Sequence, residues 1–168
     1  NKKRWDIEEN CINLIALQQP VATDLREIIA VLSIVTDLER MGDYAEGIAK
    51  IVILLGDEPL VKPLVDIPLM AQKATDMLKR SLDAFINRDA KTAEAICNED
   101  DQVDRLYEQV YRELLSYMIE DPKTITRATY LIWVAHNLER IADRVTNICE
   151  RTVYLATGTL REINVSNY

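Results

Sequence analysis

An apolar residue recurs every three or four positions through almost the whole chain, and that period selects packed helices. From Thr23 the stripe runs Ile28, Leu32, Val35, Leu38, Met41, Ala45, Ile48, Val52 and Leu55. This predicts one amphipathic helix about 50 Å long at 1.5 Å per residue. Thr23 or Asp24 stands where a cap is needed, and Gly56 where the helix should close. Before it, Asn1 to Leu17 carries a shorter stripe (Ile7, Cys11, Leu14, Ile15), broken by Pro20. Pro59, Pro63 and Pro68 mark a linker over 58–68. Asp66 is placed to cap a further helix with Met70, Ala74, Met77, Ser81 and Phe85 on its inner face. Asn87-Arg88-Asp89 predicts a tight turn, and a single helix is then expected from Lys91 to Ile119. Its inward positions are Val103, Tyr107, Val110, Leu114 and Met118. Asp121-Pro122 ends it. A last long helix begins at Thr124 or Thr126 and runs to about Gly158, leaving a frayed tail over 161–168. Only 4 glycines and 5 prolines in 168 residues supply too little turn chemistry for an all-β fold.

Charge narrows the partners. The chain carries 28 acids against 20 bases, net -8, which disfavours nucleic acid and suits cations or basic protein surfaces. Cys11, Cys97 and Cys149 are distant and unpaired in sequence, so neither a disulfide framework nor a thiolate zinc site is expected, and a reducing cytoplasm is. No apolar run is long enough to cross a membrane, and direct membrane insertion is not expected. The first residue is Asn1 rather than Met, so an N-terminal piece is expected to precede it.

An internal repeat organises the whole. Asp37-Leu38-Glu39-Arg40-Met41-Gly42-Asp43 matches Asn137-Leu138-Glu139-Arg140-Ile141-Ala142-Asp143 at an offset of 100, and Ile48/Ile148 and Leu55/Leu155 keep that register. A helix pair precedes the second copy and one helix precedes the first. The expected architecture is therefore all-α: two tandem three-helix bundles, over 1–57 and 69–160, the first lacking its first helix.

The repeat also doubles a chemical pattern. Glu39 and Asp43, and again Glu139 and Asp143, lie four apart and share a helix face. The helix that holds Asp100, Asp101 and Asp104 adds a stripe of Asp101, Asp104 and Glu108. Carboxylates converging from two helices make an oxygen-rich site for Mg²⁺, Mn²⁺ or iron. The bland alternative is an acidic edge paired with Arg40, Arg140 or Arg105. His136, the single histidine, precedes Glu139 by one turn, in reverse order to the Glu-x-x-His of ferritin-like di-iron bundles. No nucleophile–base pair, P-loop or dinucleotide fingerprint occurs, and no enzymatic activity is expected. A carboxylate-bridged helical enzyme and a plain helical scaffold remain as alternatives.

Leu17-Gln18-Gln19-Pro20-Val21-Ala22-Thr23-Asp24-Leu25-Arg26, the doubled Leu-Glu-Arg-x-x-Asp motif, and Asp101-Gln102-Val103-Asp104-Arg105-Leu106-Tyr107 together resemble the PhoU family over essentially the whole chain. The resemblance implies a cytoplasmic, often dimeric regulatory adaptor of the phosphate-specific transport system. Such an adaptor restrains phosphate uptake and the starvation response through the ABC transporter ATPase and a membrane sensor histidine kinase. It also implies metal binding, with iron, manganese, magnesium or zinc as candidates, at the acidic motifs. Glu39 and Asp43 match the motif in the first repeat, Glu139 and Asp143 in the second, with Asp101 and Asp104 on the preceding helix. In that alignment Asn1 falls where Asp104 falls, and the counterpart of Asp101 precedes the chain, which weakens the first-repeat site.

Overall fold

A computed structural model describes residues 1–159 and Ile163; the rest of the tail expected over 161–168 lies outside the described residues. Among the described residues six α-helices follow one another: α1 (Lys2–Gln18), α2 (Ala22–Leu55), α3 (Asp66–Asn87), α4 (Ala90–Cys97), α5 (Asp100–Glu120) and α6 (Ile125–Thr157). A single 3₁₀ turn, Pro122–Thr124, joins α5 to α6.

The expected helix over Lys91–Ile119 is two helices. At the break the Glu99 N–H donates to the Ile96 carbonyl and the Gln102 N–H to the Glu99 carbonyl, both tight three-residue contacts. Asn98 and Glu99 keep right-handed helical dihedrals, so the helix axis bends without an extended residue. Arg80 of α3 holds Glu99 at the bend (Nη1–Oε1 2.9 Å). Apolar spacing continues across it, and for that reason periodicity does not mark it.

Helix ends differ from expectation in the same way. Neither Thr23 nor Asp24 caps α2; Val21 stands at that position in extended conformation and Ala22 has φ +50°. Pro20 ends the helical run before it, and Gln19 closes α1 with a left-handed φ of 48°, its N–H donating to the Ile15 carbonyl. Asp66 opens α3 from inside, with Val65 before it. Asp89 does cap α4, accepting from the Thr92 N–H at 3.0 Å. Gly56, with φ 56° and ψ -141°, closes α2 in a region that a side chain disfavours.

α6 is the organiser. It packs against α2, α3, α4 and α5, while α1 leans on α2. Ala128, Ala135 and Ala142 recur every seven residues on α6 and are wholly buried, which lets neighbouring helices approach closely. Leu114, Met70, Met77, Ile96, Val103, Val145 and Ile148 fill the core around them. The linker is tied down: Arg127 donates to the Pro59 carbonyl at 2.7 Å, and buried Lys62 pairs with Glu113 and Asp66.

α2 and α6 run antiparallel, since Asp37 faces Asn147 while Gly47 faces Asn137. The two contacts are the same repeat positions exchanged. Asp37 Oδ1 accepts from Asn147 Nδ2 at 3.2 Å and from Arg144 Nη1 at 3.3 Å. The Arg140 and Arg144 guanidinium groups lie close enough to Tyr44 to hold its phenol below the usual range against the opposing effect of burial. Asp37 is buried, so its loss strands a guanidinium and an amide. We expect Asp37→Ala to cost about 1–3 kcal/mol, and exposed Asp43→Ala about 0.5 kcal/mol or less, read from urea unfolding midpoints.

Candidate metal centre

α5 and α6 bring acids together because both carry them on faces that their apolar stripes turn inward. On α5, Asp100 lies three residues from Val103, which is fully buried, and Asp104 lies one turn further along. On α6, Glu139 lies next to buried Leu138 and four residues before Asp143. The structure brings one carboxylate oxygen each from Asp100, Asp104 and Asp143 within 4.8 Å of one another. Asp100 is 4% exposed and Glu139 7%; Asp104 and Asp143 are half-buried.

These carboxylates are under-satisfied. Asp100 Oδ1 and Glu139 Oε2 are buried with no hydrogen-bond partner among the described residues. His136 Nδ1 stands 3.5 Å from Glu139 Oε2, and the His136 ring leans on Tyr107 at 5.8 Å. Burial pushes the Asp100 carboxyl up to about 7, helped by the charges of Asp104, Asp143, Glu139 and Asp101. Burial likewise lifts Glu139 to about 7, with Asp143 and Asp104 adding to it and Arg140 opposing. Asp104 and Asp143 are raised for the same first reason; Arg140 and Arg144 hold Asp143 back. Arg140 Nη1 is 3.7 Å from Asp143, the one pairing of the bland alternative that forms. A packed set of oxygens with orphan lone pairs suits a hard cation. Soft thiolate ligation is absent from it: buried Cys149, beside Cys97, is held well above the usual thiol range.

Of the residues expected from sequence, Asp104, Glu139 and Asp143 gather here. Asp101 is exposed and outside the cluster. Its neighbour Asp100 takes the buried place, though sequence reasoning passed it over for the site. The signal was present, because Asp100 and Asp104 repeat the four-residue spacing of Glu139 and Asp143.

The first repeat differs. Glu39 pairs with Arg4 at 3.3 Å, and Arg4 also holds Glu8 at 2.7 Å. Asp43 is exposed. Arg4 lies 100 residues before Asp104, so the structure corrects the alignment that put Asn1 there: a guanidinium stands where the second repeat has a carboxylate. Glu39 and Asp43 join no group of three ligand-type side chains among the described residues.

The raised carboxyls make a pH prediction. Between their ordinary values near 4 and about 7 the folded chain holds protons that the unfolded chain releases, so stability falls as pH rises through that window. In chelator, the unfolding midpoint should decline from pH 5 to pH 8. Glu139→Gln should flatten that decline and raise the midpoint at pH 8.

A model of the PhoU domain matches residues 1–52 and 67–152. The phosphate-specific transport system accessory protein PhoU homologue of Clostridium acetobutylicum is 45% identical over 160 residues, covering 95% of this chain and 73% of that protein. Its counterpart in Aquifex aeolicus is 48% identical over 155 residues, covering 92% and 70%. The crystal structure of PhoU from Pseudomonas aeruginosa superposes with a TM-score of 0.90 at 39% identity, over 95% of this chain and 77% of that one. These relatives are accessory and regulatory proteins rather than enzymes. With such likeness along nearly its full length, the chain belongs to the PhoU family.

Proposed function

We propose that this chain is a regulatory adaptor of the phosphate-specific transport system, restraining phosphate uptake and starvation signalling. The observation that carries the reading is the 45% identity, along 95% of the chain, to a protein named for that system. In this reading it acts in the cytoplasm, where it contacts the transporter ATPase and a membrane sensor histidine kinase. It works as a homodimer. An acidic chain of net -8 suits basic protein faces, and no described helix is long and apolar enough to cross a membrane.

The architecture in this reading is two tandem repeats, over 1–57 and 69–160, joined by the linker. The first repeat is short of a helix equivalent to α3, and the chain is a truncated form of a longer protein. Two observations support this. Val145, Cys149, Thr152 and Val153 of α6 are buried, but Ala45, Ala49, Val52 and Ile53, their repeat partners on α2, are exposed. The chain also spans 70–73% of the relatives it matches.

The adaptor carries a divalent or ferric cation. Asp100, Asp104 and Asp143 hold it, with Glu139 beside them; Asp101 at the rim and the Glu39–Asp43 pair contribute only charge. The orphaned oxygens of Asp100 and Glu139 support this fit, and an all-oxygen set favours iron, manganese or magnesium over zinc. A bound ion would neutralise the carboxylates and brace α5 against α6. No redox or hydrolytic step is assigned to it.

Two experiments test the reading. Purified chain should retain the transporter ATPase and the soluble sensor region of the kinase on a column; retention of neither would end the adaptor reading. Mn²⁺ at about 100 times its Kd should raise the melting temperature by about 5–10 °C. The Asp104→Asn/Asp143→Asn variant should not respond, and an equal response would remove the cluster as the metal site.

A further inference from the structure

α6 sorts charge by face. Glu139 and Asp143 turn toward α5, whereas Arg144 and Arg151 turn toward α2. Across the α2–α6 seam, Ser33, Thr36, Asp37 and Arg40 of α2 line one groove with those two arginines, and Ile29 and Leu32 form its apolar end. Within the floor Arg144 offsets the charge of Asp37, and Asn147 donates a hydrogen bond to it.

Arg40 and Arg151 make no hydrogen bond or ion pair among the described residues. In a chain with 28 acids most described arginines pair with one, Arg26 and Arg105 excepted. Arg4, Arg80, Arg88, Arg112, Arg127 and Arg140 each hold a carboxylate. Two turns beyond Ser33 on the same stripe of α2, Arg26 Nε is buried without a hydrogen-bond partner among the described residues.

The groove also breaks the repeat. One hundred residues from Ser33 and Thr36 stand Trp133 and His136; one hundred from Arg144 and Arg151 stand Tyr44 and Ile51. On this side alone, small hydroxyls replace two rings and guanidinium groups replace a phenol and an aliphatic chain. Space and positive charge coincide. Guanidinium forks match the paired oxygens of a phosphoryl group and bind it through charge-assisted hydrogen bonds. Ser33 has a hydroxyl not engaged among the described residues, whereas Thr36 already donates to the Leu32 carbonyl.

We propose that the α2–α6 groove is a binding site for a phosphate-class oxyanion, held by Arg40 and Arg151, with Ser33 donating and Arg144 offsetting the charge of Asp37 beneath it. This rests on neither the acidic cluster nor any transport partner. The ligand is either free phosphate or the phosphoryl group of an organic monoester, whose organic part would lie on Ile29 and Leu32.

The test is calorimetric titration of the chain, in chelator, with inorganic phosphate and separately with phenyl phosphate. Chelator removes any metal-bridged anion at the acidic cluster. Saturable one-to-one binding is expected, weakened at least about tenfold in Arg40→Gln/Arg151→Gln and unchanged in Asp104→Asn. Arg40→Lys/Arg151→Lys keeps the charge but loses the fork, and should fall between. Tighter binding of phenyl phosphate would support the site and identify a monoester as its ligand; tighter inorganic phosphate would support it and identify the free ion. Absence of binding by both anions up to about 10 mM, or equal affinity in wild type and the glutamine variant, would overturn the proposal.

Discussion

Four carboxylates facing one another across two packed helices cannot all be charged without a counter-ion, and the helical arrangement rests on how that charge is met. Asp100 and Glu139 lie too deep for water to screen them, and each lacks a partner for one oxygen. A proton answers the repulsion, and so does a cation. Burial raises both carboxyls to about 7, so a cation entering at neutral pH must displace protons, and its affinity rises with pH until those groups are fully ionised. The packing of α5 on α6, around a core that includes the buried Ala135 and Ala142, sets the acids facing one another.

The same helix separates opposite charges. α6 presents acids to α5 and arginines to α2, so the metal-type site and the basic groove share a backbone yet face away from each other. Asp143 and Arg144 are consecutive residues, and the field of Arg144 already reaches the Asp143 carboxyl. A departure from the repeat explains why the described residues hold one acidic cluster and not two. Arg4 converts the first copy into an ion pair with Glu39, and an ion pair needs no further cation.

Much of this was legible in the sequence. Helical periodicity located α2, α3 and α6 closely, because long stripes average out local irregularity. The offset of 100 paired Asp37 with Asn137, positions that the structure places at the antiparallel α2–α6 contact. What escaped was decided by phase and by tertiary contact. The α4–α5 bend keeps helical dihedrals and apolar spacing, and what marks it is tightened backbone hydrogen bonding and the tertiary contact of Arg80 with Glu99. Asp100 and Asp101 are adjacent, and choosing between them needed the angular position of Val103. The pairing of Arg4 with Glu39 needed the α1–α2 register, which the short, weakly apolar α1 does not fix.

The account depends on protons and a cation competing for one set of oxygens. Calorimetric titration of Mn²⁺ into the chain, repeated at pH 7 in buffers of different ionisation enthalpy, counts the protons released on binding. The account predicts saturable binding that releases protons from Asp100 and Glu139 at pH 7, with the release fading by pH 9. Binding without proton release at pH 7, or no binding, would contradict it.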